Sequence, residues 1–504
     1  MANATQSEPR ATEAEILEVL LPQVARFLAA EVDGYGIDRA GEIPPAVRDG
    51  VARLGLFGMT IPEAYGGAGL SLGAACCVVA ELARVDRSVA IMVGLHAGLG
   101  TRGLVELGTP ALRARWLPRL ASGDCIASFA ATEAGAGSAL TAIRTTGRLV
   151  GGSLRLDGEK SYVTNGGFAG LFTVLVRTPG LGGDRAQSIV CVPADTPGVS
   201  TGLEEKKLGI RGSSTVTVSF DDVRVPIDHV LGIPGDGMRQ VSGLLAWGRT
   251  LMSAGCVGAA RGALDATLAY VRGRHQFGSP IGDFAATRAH VAWMAARTHA
   301  MAALVRSVGD AQSAGDAIEL DSTIAKVFCS EGAFEVCDRA VQLHGALGFL
   351  EETGVARILR DTRITRIFEG ANDVLLLRIG AAALGEDSRI HGHAVLGSQS
   401  RWLGAAQRIE DLARSLRRET EGVRERRGVG AVRHQLVLQR LARALICTRA
   451  ARASIERAVE EDSALAGYAA ETLADEAYGW LSRLGRADAD EEADREVTDR
   501  MYAR

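Results

Sequence analysis

The stretch Arg360 to Asp373, RDTRITRIFEGAND, holds a carboxylate in an unusual place. Glu369 stands between the apolar pair Ile367 and Phe368 and the small pair Gly370 and Ala371. A low-dielectric setting disfavours the charged form and raises a carboxylate's pKa, which suits a general base working near neutrality. The same acid could instead close an ordinary ion-pair cluster, because Arg357, Arg360, Arg363 and Arg366 recur every third residue beside it. Local sequence leaves both readings open. A second polar stretch is FAATEAGAGSALTAIRTT (Phe129 to Thr146), followed by KSYVTNGG (Lys160 to Gly167). Small residues let a large planar or phosphorylated ligand approach the backbone, and Thr132, Ser138 and Thr164 offer hydroxyls to its edge. A Gly/Thr-rich β-turn has the same composition.

Other chemistries lack their motifs. GAGSAL (Gly135 to Leu140) misses the third glycine of a dinucleotide-binding fingerprint, and there is no GxxxxGK[ST], HExxH or GxSxG. The eight cysteines form no CxxC pair and no Cys/His cluster at metal-ligand spacing, so no metal is expected. They read as small buried hydrophobes in a reducing compartment. A net charge of -4 gives no reason to expect nucleic acid as a partner. The N-terminus has no basic flank before an apolar run, and no later stretch reads as long enough to span a bilayer. A cytoplasmic location is the expectation.

The elements that must position these residues follow from periodicity. With 504 residues, 47% of them hydrophobic, the chain is long enough for several domains. We expect a mainly α protein with an inserted β-domain. Residues 1–125 read as an N-terminal helical domain, with Leu17, Leu21, Val24 and Leu28 at helical spacing, and a further helix from Gly73 to Val85. Between them, IPEAYGGAGLS (Ile61 to Ser71) is a tight loop, and His96 reads as a core histidine. Residues 126–236 form an antiparallel β-barrel or sandwich. Its strands are expected near Gly147–Leu156, Phe172–Arg177, Ser188–Pro193 and Thr215–Phe220, the last alternating cleanly. Residues 237–384 form a helical bundle, 385–400 a Gly- and Ser-containing linker, and 401–504 a charged C-terminal helical domain. Its basic helix near His434–Glu461 reads as a packed helix with a solvated face, or as one lying on a membrane.

The order of motifs resembles the acyl-CoA dehydrogenase family of flavoenzymes. The resemblance is carried by IPEAYGGAGLS, ATEAGAGSA, SYVTNGG, KKLGIRGSS, FDDVRVP, RHQFGSPI, AVQLHGALGF and RDTRITRIFEGAND. The chain continues past residue 385, and VRHQLVLQRLARALICTRAARASIERA (Val432 to Ala458) resembles the extra C-terminal domain of the very-long-chain branch. The resemblance implies an FAD enzyme of fatty acid β-oxidation, a homodimer, acting on long-chain acyl-CoA. Glu369 would remove the α-proton of the thioester while the β-hydrogen leaves as hydride to flavin N5, giving a trans-2-enoyl-CoA. Branches that carry the base on the first bundle helix would have it at Gly248.

By the same resemblance Thr132 and Thr164 would bond the flavin ring, and Ser138 would lie near cofactor and thioester. Arg274, Gln276 and Phe277 would reach the FAD of the neighbouring subunit, Gln342 and Gly345 would complete the adenosine side, and Arg249 would stand beside the substrate. An electron-transferring flavoprotein would accept the electrons. Four positions depart from the family pattern: Ala139, Tyr162, Ala346 and Ala371. The shorter segment after the bundle implies membrane contact that is at most peripheral. Gly94, Gly98 and Gly248 would leave space for an acyl chain, or serve helix packing. Two further readings stay open: a same-fold enzyme acting on a carrier-protein-bound or branched acyl thioester, and an acyl-CoA-binding or scaffold relative without turnover.

Overall fold

A computed structural model of the protein describes residues 12–385 and 401–502. The expected linker, apart from Gly385, lies outside the described residues.

The N-terminal region is helical: α1 (Glu13–Glu31), α2 (Gly34–Ala40), α3 (Pro45–Arg53), α4 (Leu72–Val85), α5 (Arg87–Leu95), α6 (Thr101–Leu107) and α7 (Pro110–Ser122). A capping box starts α1, with the Thr12 hydroxyl accepting from Glu15 N at 3.3 Å and Thr12 N donating to Glu15 at 2.6 Å. Pro22 lies inside this helix without ending it, and Val24 and Leu28 are buried as their spacing predicts. Ser71 closes the IPEAYGGAGLS loop by accepting from Ala74 N at 3.2 Å, which caps α4.

The run Arg87–Leu107 corrects one expectation. It is long and apolar enough, by length and composition, to cross a membrane, and 72% of that window is buried inside the fold. Its apolarity follows from packing on all sides rather than along one stripe. His96, in the π turn joining α5 to α6, is fully buried. Its Nδ1 accepts from Ala127 N at 3.0 Å, which leaves Nε2–H to donate to Leu120 O at 3.1 Å. Burial holds its pKa down at about 4, so it is a neutral core histidine joining the helices to the sheet.

Eight strands follow: β1 (Ala127–Ala130), β2 (Thr146–Val150), β3 (Ser153–Thr164), β4 (Leu171–Arg177), β5 (Gln187–Pro193), β6 (Val199–Thr201), β7 (Thr215–Pro226) and β8 (Val230–Leu231). They form one sheet in the order β6-β7-β3-β2-β4-β5-β8, with β1 beside β4. Val216, Val218 and Phe220 point into its core, as the alternation predicts. Two details differ from expectation. β1 pairs with β4 in parallel, so the sheet is mixed. The stretch Gly147–Leu156 is a hairpin rather than one strand, turning at Gly151 and Gly152 with φ of +57° and +81°. Paired glycines supply the positive φ at both positions that such a two-residue turn needs.

The bundle comprises α8 (Gly237–Gly273), a small hairpin of β9 (His275–Gln276) and β10 (Ser279–Pro280), α9 (Ala285–Ser313), α10 (Glu319–His344), α11 (Val355–Arg363) and α12 (Asn372–Leu384). The C-terminal helices are α13 (Leu403–Arg427), α14 (Gln435–Glu461), α15 (Ala464–Ser482) and α16 (Ala487–Tyr502). Helix α14 buries Leu438, Leu441 and Leu445 and packs against α9, α12 and α15. A methyl group on Gly380 would overlap the Leu438 carbonyl, so only glycine lets α12 and α14 approach this closely. The arginines of α14 are half-buried and Arg452 is buried, so the expected solvated basic face is not formed; Arg440 pairs with Asp490 and Arg452 with Glu410.

Candidate active site

Glu369 lies in the turn between α11 and α12 at φ +57°, followed by Gly370 at φ +101°. A glutamate in the left-handed region is strained and persists only where its surroundings fix it. Two cations do so through the turn's carbonyls. Arg249 of α8 donates through Nε to Glu369 O at 3.0 Å, and Lys326 of α10 donates through Nζ to Gly370 O at 2.7 Å. Lys326 also donates to Asn372 Oδ1 at 2.6 Å, and Asn372 Nδ2 donates to Ser330 Oγ and Glu331 Oε1 at 2.9 and 2.7 Å. Lys326 is fully buried. It is a site residue that sequence reasoning missed, and its signal was a lysine inside the apolar run Ile324–Cys329 of a bundle helix.

The neighbouring arginines do not pair with Glu369. Arg357 binds Asp86 at 2.8 Å, Arg360 binds Asp38 and Glu351 at 2.6 and 2.8 Å, and Arg366 binds Glu331 at 2.8 Å. Their helix is thereby fastened to the N-terminal domain, leaving the carboxylate free. The residue keeps some exposure, but Glu369 Oε2 is buried and has no hydrogen-bond partner among the described residues. Burial pushes its pKa up to about 7, against the opposing pull of the Arg249 and Lys326 charges. Of the two local readings, the ion-pair cluster does not form around Glu369: Arg357, Arg360 and Arg366 are engaged elsewhere, and the carboxylate sits in a low-dielectric setting.

Two cavities meet at this carboxylate. The larger, of ≈ 540 Å³, is lined by Thr132, Ser138, Thr164, Arg249 and Glu369 together, with Tyr162 also on its wall. The hydroxyls of Thr132, Ser138 and Thr164 form no hydrogen bond among the described residues. The smaller cavity, of ≈ 60 Å³, is apolar and runs between α5 and α8, with Gly94 and Gly248 in its wall. A methyl group on Gly248 would sit 3.2 Å from Glu369 Oε1 and 2.9 Å from Leu99 Cγ, so this position has no room for a second carboxylate. Gly98 serves helix packing, since a methyl group there would meet Leu251 Cδ1 at 3.1 Å.

A buried ion pair shapes the loop that carries Thr132 and Ser138. Lys160, fully buried on β3, donates to Glu133 Oε1 at 2.8 Å and to Ala131 O at 3.0 Å. Glu133 also accepts from Arg144 N at 2.6 Å, Thr145 N at 2.9 Å and the Thr145 hydroxyl at 2.6 Å. Burial alone would raise the Glu133 carboxyl, but these bonds outweigh it and hold its pKa at about 2.

The remaining sequence candidates lie elsewhere. Arg274, Gln276 and Phe277 follow the C-terminus of α8, exposed to solvent, with Phe277 95% accessible. Gln342 and Gly345 are exposed at the C-terminus of α10. Stacking of Tyr270 on His344, with centroids 4.4 Å apart, brings these two helix ends together. The chain thus presents two separate groups: a cleft around Glu369, and an exposed edge that includes Phe349 at 85% accessibility.

Comparison with known proteins agrees with this architecture. The models of the acyl-CoA dehydrogenase N-terminal, middle and C-terminal domains match residues 15–124, 128–223 and 235–384. The mouse mitochondrial very long-chain specific acyl-CoA dehydrogenase is 36% identical over 376 residues, covering 72% of this chain and 57% of that protein. An acyl-CoA dehydrogenase of Bacillus subtilis is 33% identical over 357 residues, covering 71% of this chain and 93% of the relative. Among solved structures, an acyl-CoA dehydrogenase of Bacillus anthracis complexed with FAD superposes with a TM-score of 0.84 at 26% identity, covering 94% of this chain and 87% of that one. Butyryl-CoA dehydrogenase of Megasphaera elsdenii gives 0.71 at 30% identity, covering 75% and 100%. Three domain models in unbroken order and one relative matched over nearly its whole length place this chain in the acyl-CoA dehydrogenase family.

Proposed function

We propose that the protein is an FAD-dependent acyl-CoA dehydrogenase with Glu369 as its base. The observation that carries this is the buried, unpartnered Glu369 Oε2 where an apolar cavity meets a wider polar cleft. The cleft fits the cofactor: its hydroxyls at Thr132, Ser138 and Thr164 have no partners among the described residues, and its volume suits a large planar ligand. When bound, FAD supplies the electron sink that accepts the β-hydrogen with its electron pair. The protein's own part is to take the α-proton onto the Glu369 carboxylate. Among the described residues the Glu369 N–H makes no hydrogen bond, which leaves it to polarise the thioester carbonyl and acidify that proton. Arg249, which holds Glu369 O, keeps donor and base in one orientation.

Anaerobic titration with acyl-CoA thioesters of increasing length, palmitoyl-CoA included, should bleach the oxidised-flavin absorbance and yield the trans-2-enoyl product. A yellow protein that no acyl-CoA bleaches would overturn the reading. The rate should follow the base: kcat/KM rises with pH through a midpoint near 7, where the carboxylate ionises. A midpoint below 5 would mean that Glu369 is not buried during turnover. The long-chain preference draws support from the names of the very-long-chain relatives and from Gly94 and Gly248 in the cavity wall.

The exposed edge supports a homodimer in which Arg274, Gln276, Phe277, Gln342 and Gly345 serve the cofactor's adenosine end across the interface. Arg274→Ala should weaken FAD retention about tenfold, as loss of a charge-assisted bond to pyrophosphate predicts. A monomer in sedimentation, with FAD affinity unchanged by Arg274→Ala, would remove this assignment. An electron-transferring flavoprotein as acceptor and a cytoplasmic location complete the proposal, the former checked by reoxidation of the reduced enzyme.

A further inference from the structure

The apolar cavity beside Glu369 ends on a charge. Its walls are one stripe of α5, including Ile91 and Gly94, and one of α8, including Leu251 and Met252, and at the end away from Glu369 lies Arg87. Arg87 is 3% exposed. Among the described residues its buried Nε has no hydrogen-bond partner and no carboxylate pairs with it. Asp86, next in the chain, is committed elsewhere: Oδ1 caps α5 at Val89 N, 3.0 Å away, and Oδ2 binds Arg357 at 2.8 Å. The polar side chain beside the guanidinium is the buried Cys256 thiol. A guanidinium keeps its charge at any working pH, and leaving it buried and unpaired is costly. An acyl chain ending in a methyl group would bury it further and offer it nothing.

We infer that the acyl group of the substrate ends in a carboxylate that pairs with Arg87, so that the thioester is a dicarboxylyl-CoA. The cavity sets the length. A methyl group on Gly248 would lie 3.2 Å from Glu369 Oε1, and one on Gly255 would lie 2.6 Å from Arg87 Nη1. Those glycines are seven residues apart on α8, roughly 10 Å at the helical rise. Three extended backbone bonds span at most about 3.6 Å, so a chain covering that distance has about eight carbons, and the walls of the ≈ 60 Å³ cavity part to admit it. Gly255 also fits this role, since any side chain there would displace the guanidinium from the cavity. This inference rests on the cleft being an acyl thioester site, and it replaces the long-chain preference proposed for that site with a dicarboxylyl chain of medium length.

The test compares hexanedioyl-, octanedioyl- and decanedioyl-CoA with hexanoyl-, octanoyl-, decanoyl- and palmitoyl-CoA, using the FAD-loaded protein and an artificial electron acceptor. The wild type should prefer one of the dicarboxylyl thioesters to its monocarboxylic partner by at least about 10²-fold in kcat/KM, because a buried donor left unpaired rejects the analogue that lacks its acceptor. In Arg87→Leu that ratio should collapse by about the same factor, with Arg87→Lys retaining part of it. A wild type that uses octanoyl- or palmitoyl-CoA as well as any dicarboxylyl thioester overturns the inference while leaving the dehydrogenase reading intact. That comparison needs no variant to fold. Failure of every thioester to reduce the flavin would remove the dehydrogenase reading, and this inference with it.

Discussion

Glu369→Gln should leave a yellow protein whose flavin is reduced by acyl-CoA at least about 10²- to 10⁴-fold more slowly than in the wild type, the range a positioned general base contributes. The substitution keeps the side chain's size, so Gly248 and Leu99 still fit against it, and the carbonyl held by Arg249 is untouched. What disappears is the proton acceptor. Among the residues lining the two cavities Glu369 is the only carboxylate, so no second acid is placed to replace it. Stopped-flow bleaching measures the effect, and wild-type turnover in this variant would move the base elsewhere. The variant should also differ in stability. The folded state raises Glu369 from an ordinary value near 4.5 to about 7, so it binds a proton that the unfolded chain has released across that window. Wild-type stability therefore falls as pH rises from about 4.5 to about 7, and this contribution is absent from Glu369→Gln.

Lys326→Met should have the second-largest effect, and should register on stability and on the base together. Methionine fills the same volume but cannot donate, so Gly370 O loses its donor and Asn372 Oδ1 keeps only Ser330 Oγ at 3.3 Å. A buried acceptor left unsatisfied costs about 1–3 kcal/mol, which predicts a loss of about 1–3 kcal/mol from Gly370 O. The Lys326 charge also lowers the Glu369 pKa, so its removal should shift the midpoint of the pH–rate profile above about 7. Thermal melts and the pH dependence of flavin reduction check the two parts separately. If both are unchanged, Lys326 is a packing residue and something else fixes the Glu369 turn.

The sequence by itself determined much of this protein. Periodicity separated helical regions from an inserted sheet, because a buried stripe on a helix and a buried face on a strand impose different spacings on apolar residues. The alternation at Thr215–Phe220 identified which side chains face the core of the sheet. The apolar and small neighbours of Glu369 made a carboxylate in a low-dielectric site one of two local readings, and the order of motifs carried the family.

Tertiary structure alone decided what each charge pairs with. Arg360 binds Asp38 from 322 positions away and Arg357 binds Asp86 from 271. Local spacing cannot register such partners, which is why the arginines flanking Glu369 read, from sequence, as candidates to neutralise it. The same limit hid Lys326 and Arg87. One meets the carbonyl of a turn 44 residues distant, and the other meets a cavity whose opposite wall is built by α8. The hairpin within 146–164 was missed because its glycine turn lies inside a run that also reads as one strand. The Arg87–Leu107 segment looks able to cross a membrane because burial within a protein and burial within lipid select the same apolar residues. Local sequence sets what a side chain can do, and long-range packing selects the partner that makes it a base, an anchor or a binding site.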